Sequence, residues 1–229
     1  MDGTLDGLWW LLRTGSMWSE LPPEYGKWNS IWRMFRRWCD RGLWAGVLAR
    51  LAEEHPRYAV MLAVDTTHIK AHQDATRSPL SVEEQKLGKT KGGRNTKLSA
   101  VVNLTGRAVA LRLVCGQEHD SRSALDTLPA SLEGSFVLAD KAYDSDRLRV
   151  EIARRGGLPV IPPKANRINP PPYDKETGRL RHKVENLFCR LKRFRRVGTR
   201  YDQRADTYLG FVTLSAIIDW LRSPFVHTA

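Results

Sequence analysis

The chain has 229 residues, 41% of them hydrophobic, and carries 37 lysines and arginines against 25 aspartates and glutamates, a formal net charge of +12. That length holds one large domain, or one medium domain with a small appendage, and the charge points to a polyanionic partner, with a solubilising basic surface or a ribosome-associated protein as the plainer readings. No apolar run is long enough for a membrane span, the start lacks a secretory pattern, and Cys39, Cys115 and Cys189 have no C-x-x-C spacing, so a cytoplasmic protein without a zinc site or disulfide frame is expected.

Seven of the eight tryptophans fall within residues 9–44, which marks residues 1–54 as a distinct helical region. Leu5, Leu8, Trp9, Leu11 and Leu12 predict a first helix, and Pro22-Pro23 interrupts the chain. Ser30 is the expected cap of a second helix through Ile31, Phe35 and Trp38, and Leu43–Leu51 predicts a third. Arg33, Arg36, Arg37 and Arg41 would lie on its outer face. A helix-turn-helix DNA reader and a helical pack that supports the rest of the chain are both open.

Strands are predicted at Tyr58–Ala71, Lys97–Leu104 and Ala108–Cys115, the last two joined by the turn signal Thr105-Gly106-Arg107. Between the first two lies polar sequence, of which Lys86–Arg94 reads as a mobile loop. Helix Ser121–Leu132, strand Ser135–Ala139, helix Ser145–Arg155 and strand Leu158–Ile161 follow. Residues 162–179 hold five prolines and read as irregular. A helix bearing the apolar stripe Val184, Leu187, Phe188 and Leu191 comes next, then one from Asp206 to Leu221. A body of 55–222 and a tail of 223–229 complete the expected division.

Three carboxylates stand out. Asp65 closes the apolar run Tyr58–Val64, Asp140 closes Ser135–Ala139, and Glu185 lies beside the apolar stripe with Arg181 and Lys192 on its own side of the helix. Buried strand acids are costly without partners. If the two strands are neighbours and the helix crosses them, the three acids converge, and a divalent cation with oxygen ligands, Mg2+ above all, relieves their repulsion. Each acid taken singly also reads as an ordinary surface carboxylate.

The segments Asp65-Thr-Thr-His-Ile-Lys-Ala-His72, Ala139-Asp-Lys-Ala-Tyr-Asp144 and Val184-Glu-Asn-Leu-Phe-Cys-Arg-Leu-Lys-Arg-Phe-Arg-Arg-Val-Gly-Thr-Arg-Tyr-Asp202 resemble those of the bacterial insertion-sequence DDE transposases of the IS4/IS5 groups. Leu5-Asp-Gly-Leu-Trp-Trp-Leu-Leu-Arg-Thr-Gly-Ser-Met-Trp-Ser-Glu-Leu-Pro22 resembles their N-terminal part. The resemblance spans nearly the whole chain and implies an RNase H-like α/β fold with a mixed sheet, which the order of hairpin strands followed by alternating helix and strand also suggests. In the family signature (tyrosine, two residues, arginine, three residues, glutamate, six residues, lysine) Arg181, Glu185 and Lys192 fit. Gly178 stands at the tyrosine position, with Tyr173 nearby but out of register. Family members begin some tens of residues earlier, so a shortened reading frame is expected.

The resemblance further implies catalysis by Asp65, Asp140 and Glu185 with two Mg2+ ions, or Mn2+ in their place, Asp65 bridging the pair. Cleavage at transposon ends and strand transfer into target double-stranded DNA would follow, with a homodimer formed on the DNA. Arg181, Lys192, Arg193, Arg195, Arg196, Arg200, Lys141 and His68 are the expected DNA contacts. His68 and His72 are four residues apart, which on a strand separates them too far to share a metal, so hydrogen bonding or DNA contact is preferred for them. A structure-selective nuclease and a DNA-binding remnant without catalysis are the competing readings.

Overall fold

A computed structural model describes residues 3–77 and 79–222. Among the described residues the sheet has six strands: β1 (Met61–Lys70), β2 (Gly88–Thr90), β3 (Gly93–Val102), β4 (Ala108–Cys115), β5 (Phe136–Leu138) and β6 (Leu158–Val160), all but the polar β2 from the apolar runs. β1, β3 and β4 form an antiparallel meander, while β5 and β6 add in parallel on the other edge of β1. The resulting order β4-β3-β1-β5-β6 is that of an RNase H-like sheet. β2 pairs with the first residues of β3 through the turn Lys91-Gly92, and Gly93, the first residue after it, has a φ of +97° that suits a residue without Cβ. The expected loop Lys86–Arg94 is thus a short hairpin. At the predicted 105–107 turn, Asn103 Oδ1 accepts the N–H groups of Thr105 and Arg107, and Gly106 has a φ of +76°.

The longer helices are α1 (Gly3–Thr14), α2 (Trp28–Asp40), α3 (Leu43–Glu53), α4 (Asp120–Thr127), α5 (Asp146–Arg154), α6 (His182–Lys192) and α7 (Ala205–Leu221). Several boundaries depart from expectation for local reasons. Lys27, not Ser30, precedes the first residue of α2. α4 stops at Thr127 because Pro129 disfavours helical backbone at Leu128. The Arg155 guanidinium then takes the carbonyls of Leu125, Leu128 and Pro129. Within the proline-rich stretch, Asp174 caps a helical turn at Lys175–Arg179 that the composition hides.

Alternation along the central strands divides the core in two. Ala63 and Ile69 of β1, Leu98 and Ala100 of β3 and Leu138 of β5 face α6 and α7, whereas Leu62, Val64 and Val137 face α4 and α5. Val184, Leu187, Phe188 and Leu191 of α6 are all buried, each stabilising the docked helix by about 1.5–3 kcal/mol.

The tryptophan-rich region joins the α6/α7 side of this core. The ring centroids of Phe35 (α2) and Phe211 (α7) are 4.4 Å apart, with Trp18 at 5.7 Å from Phe211 and Trp44 at 6.0 Å from Phe35. Of the two readings of this segment, the helical pack describes how Trp18 and Trp44 are used. Arg33, Arg37 and Arg41 are exposed, while Arg36 pairs with Asp40 at 3.3 Å. All three cysteines are free thiols. Among the described residues no helix is long and apolar enough to cross a membrane. The expected tail 223–229 lies outside the described residues.

Candidate active site

Asp65 sits in the middle of β1, which continues to Lys70, rather than at a strand end. Its partner on β3 is Ala100. On the other edge, the parallel pairing with β5 ends at Ala63↔Leu138. Asp65 and Asp140 each lie two residues beyond that last pair. Ala63 and Leu138 both face α6, so period-two alternation sends both aspartates toward the same helix. β5 has ended there, which leaves the edge of β1 open at Asp65.

α6 supplies the third acid. Its apolar stripe fixes the helix on the sheet and turns Glu185, half-exposed, toward the opening. Arg181 links the acids: Nη1 donates to Asp65 Oδ2 at 3.0 Å and Nη2 to Glu185 Oε1 at 2.6 Å. Asp140 Oδ1 accepts the N–H of Ala142 at 2.7 Å, which caps the turn Lys141–Tyr143. Burial raises the Asp65 carboxyl above its ordinary value of 3.8, and the charge of Asp140 adds to the rise; the Thr66 N–H and Arg181 oppose it. Burial works against the Arg181 charge, yet Glu185, Asp65 and Asp140 outweigh it and raise its pKa. Lys192, two turns beyond Glu185, donates to Thr67 Oγ1 at 2.7 Å and the His68 carbonyl at 3.2 Å. Burial lowers its pKa.

A polar layer beneath these groups escaped the sequence reading. The buried Tyr143 hydroxyl donates to Asp65 Oδ1 at 3.3 Å. Thr66 Oγ1 donates to Asp120 Oδ1 at 2.8 Å, and the buried Lys97 ammonium donates to the same oxygen at 2.8 Å. His68 Nδ1 lies 3.1 Å from Asn95 Oδ1. Tyr143 was within reach of sequence reasoning, because it stands three residues after Asp140 in a segment already singled out. Asp120 and Lys97 were not, since their meeting depends on how α4 crosses β3.

The expected DNA contacts divide. Lys141, His68, Arg193 and Arg195 are exposed. Arg196 and Arg200 are not available, which corrects the expectation for both. Arg196 is 3% exposed, pairs with Asp202 at 2.9 Å and lies over the rings of Trp18 and Phe211. Arg200 is fully buried, donates to the carbonyls of Asp202 and Gln203, and is lowered to about 10 by burial. Its backbone bridges Ala71 in parallel, on the β1 edge that β5 leaves free. His72 turns away to pair with Asp74 and pack at a tilt against the Tyr201 ring.

Gly178, at the family's tyrosine position, faces Tyr173: a Cβ placed there would overlap the Tyr173 hydroxyl. The hydroxyl end of Tyr173 therefore lies directly against Gly178, reached from another place in the chain. For a divalent metal, the donor set of two aspartates and a glutamate has the hard-oxygen chemistry that Mg2+ or Mn2+ takes. Among the described residues no three His, Cys, Asp or Glu side chains stand in a ligating cluster. The Arg181 guanidinium lies between Asp65 and Glu185 and supplies the positive charge there.

An RNase H-like sheet with one aspartate on its central strand, a second just past the neighbouring strand and a glutamate-bearing helix packed across them is the arrangement of the DDE class. The chain belongs to the transposase DDE domain family, whose model matches residues 59–220, and residues 2–48 match the model described as "Putative transposase of IS4/5 family". It is 34% identical over 128 residues to a Brucella ovis protein named "Putative transposase for insertion sequence element IS6501", covering 56% of this chain and 98% of that one. A Burkholderia cepacia protein, "Putative transposase for insertion sequence element IS402", is 28% identical over 159 residues, 61% of this chain and 73% of its own. Among solved structures, a piggyBac transposase synaptic complex with hairpin DNA aligns over 69% of this chain with a TM-score of 0.44 and 10% identity; the chain spans 45% of that protein's length. A Mos1 transposase paired-end complex aligns over 96% of this chain and 76% of its own, with a TM-score of 0.35 and 10% identity. The functional class of the family is DNA transposition, with breakage and transfer of phosphodiester bonds as its chemistry.

Proposed function

We propose that the chain cuts DNA at the ends of a mobile element and joins the freed ends to target DNA, with Asp65, Asp140 and Glu185 holding Mg2+, or Mn2+ in its place, as a pair of ions. The observation that carries this reading is the matched position of Asp65 and Asp140, two residues past the last β1–β5 pair, on the face where Arg181 already ties Asp65 to Glu185. When bound, divalent ions lower the pKa of water and offset charge at phosphorus.

In the first step a water oxygen attacks the phosphorus at the element end. The bond to the 3′ oxygen breaks, leaving a 3′-hydroxyl and a 5′-phosphate. In the second, that hydroxyl attacks a target phosphodiester, whose own 3′ oxygen departs with the proton. Tyr143 and the Thr66 N–H hold Asp65 in place for both steps. Lys192, anchored on β1, keeps its ammonium at the edge of the opening, where a DNA phosphate replaces solvent. Exposed Lys141, Arg193, Arg195 and His68 are the further DNA contacts of this reading, Tyr173 takes the place of the signature tyrosine, and two copies of the chain pair the two ends.

Incubation with supercoiled plasmid carrying the element ends and Mg2+ tests the reading. Wild-type protein is expected to nick and to join, while Asp65→Asn, Asp140→Asn and Glu185→Gln bind DNA but do neither. Cutting without joining would leave a nuclease, binding alone a remnant, and full activity in all three variants would remove these acids from the chemistry.

A further inference from the structure

A second basic feature lies away from the three acids. Arg190 is five residues past Glu185, about 140° around the helix from it. It opens onto a groove of about 990 Å³ between α1, α6 and the end of α7. Arg13, Arg107, Arg190, Arg193, Arg195 and Arg222 line it, and Asp219 is its one carboxylate, so six guanidiniums face a single negative charge. Asp219 is taken by Arg107 at 2.6 Å and Arg190 at 2.8 Å.

Arg13 and Arg222 are held differently. Both lie over the Trp9 ring, at 5.8 and 4.7 Å from its centroid, and Trp9 is itself braced edge-on by Phe194. Stacking on an indole positions a guanidinium and leaves its charge and N–H fork free for a ligand. The cations come from separate chain segments, so their convergence is a product of the fold rather than of one basic run. Arginines gathered in a concavity repel one another, and an anion repeated along the groove relieves that repulsion. The groove is open, and its volume of about 990 Å³ far exceeds that of one phosphate.

We propose that this groove binds the phosphate backbone of DNA at a distance from the scissile bond, through Arg13 and Arg222 held on Trp9. The inference rests on the DNA-transposase reading and extends the contacts already given to Arg193 and Arg195 along the far flank of α6 to Arg13 and Arg222.

Binding of a fluorescein-labelled element-end duplex across a salt series tests it. Loss of two phosphate contacts is expected to reduce the slope of log K against log [salt] by about 1.8 in the double variant Arg13→Gln/Arg222→Gln, with equal loss on unrelated duplexes. The double variant Arg13→Lys/Arg222→Lys is expected to recover most of the slope. Both residues are exposed, so the melting temperature should not move. An unchanged slope in the glutamine variant, with wild-type protein still cleaving element ends, would overturn the groove and leave the transposase reading intact. Wild-type protein that neither binds nor cleaves DNA would overturn both. Tighter binding to an RNA duplex of equal length, with the same loss of slope in the variant, would overturn DNA as the ligand.

Discussion

Arg181 Nη1 reaches Asp65 Oδ2 at 3.0 Å across 116 positions of sequence, and its other terminal nitrogen holds Glu185. A single positive charge thus stands between two carboxylates where a divalent ion would carry two. Guanidinium and ion compete for the same oxygens. Arg181→Gln is therefore expected to bind Mn2+ more tightly than wild type in calorimetric titration without DNA. Its unfolding free energy in chelator should fall by about 1–3 kcal/mol, because Asp65 loses its partner. Unchanged values in both measurements would show that Arg181 is not the counter-charge.

Asp65 sets a pH dependence. Its folded pKa is raised by burial and by Asp140, so the folded protein holds this proton more tightly than the unfolded chain. Stability then falls as pH climbs from the ordinary aspartate value of 3.8 through the raised folded value. Asp65→Asn is expected to be more stable than wild type at pH 7 by on the order of 1 kcal/mol, with the gap closing as pH drops below that window. Thermal melts in chelator at several pH values read this directly; a gap that widened at low pH would reverse the assigned sign.

Tyr143→Phe keeps the buried ring and removes the hydroxyl that donates to Asp65. A lost hydrogen bond of about 1 kcal/mol corresponds to a roughly fivefold slower cleavage step. DNA affinity should not change, since the phenol is buried. Single-turnover cleavage beside a binding isotherm separates the two; a loss of affinity alone would reassign the residue.

The basic run 190–200 contains two kinds of arginine. Arg196→Met strips Asp202 of its buried partner and should cost about 3–5 kcal/mol in urea unfolding. Arg193→Gln, on an exposed residue, should stay within about 0.5 kcal/mol of wild type. Equal effects would contradict the structural assignment of Arg196.

Gly210 allows α7 to approach α2. A Cβ there would lie 2.5 Å from Cys39 Sγ and 3.0 Å from Phe35 Cζ. Gly210→Ala is expected to destabilise the protein by about 1–3 kcal/mol through overpacking, despite the better helix propensity of alanine. A more stable variant would show that the two helices separate without cost.

Much of the site could be read before the structure. Asp65 and Asp140 follow apolar runs that could only be buried strands, and the 3.6-residue spacing of Val184, Leu187, Phe188 and Leu191 fixed which side of α6 carried Glu185. What escaped depended on partners distant in sequence. Arg196 looks like its exposed neighbours until Asp202, Trp18 and Phe211 close around it, and Arg200 until Tyr208 does. The hairpin at Gly88–Asn95 was hidden because its residues are polar and its pairing partner lies at the start of β3. Tyr173 was noticed as out of register with the signature, but only the fold brings its ring to Gly178.

The second edge of β1 is occupied by β5 as far as Ala63 and again by Arg200 at Ala71. The stretch between is a notch whose width is set by where β5 stops. Extending that short strand by a pair of residues would zip the notch shut and fix Asp65 and Asp140 in one continuous ladder, with every side chain of the site still present. The room at this edge is thus fixed by the length of one three-residue strand, a matter of spacing rather than of residue identity.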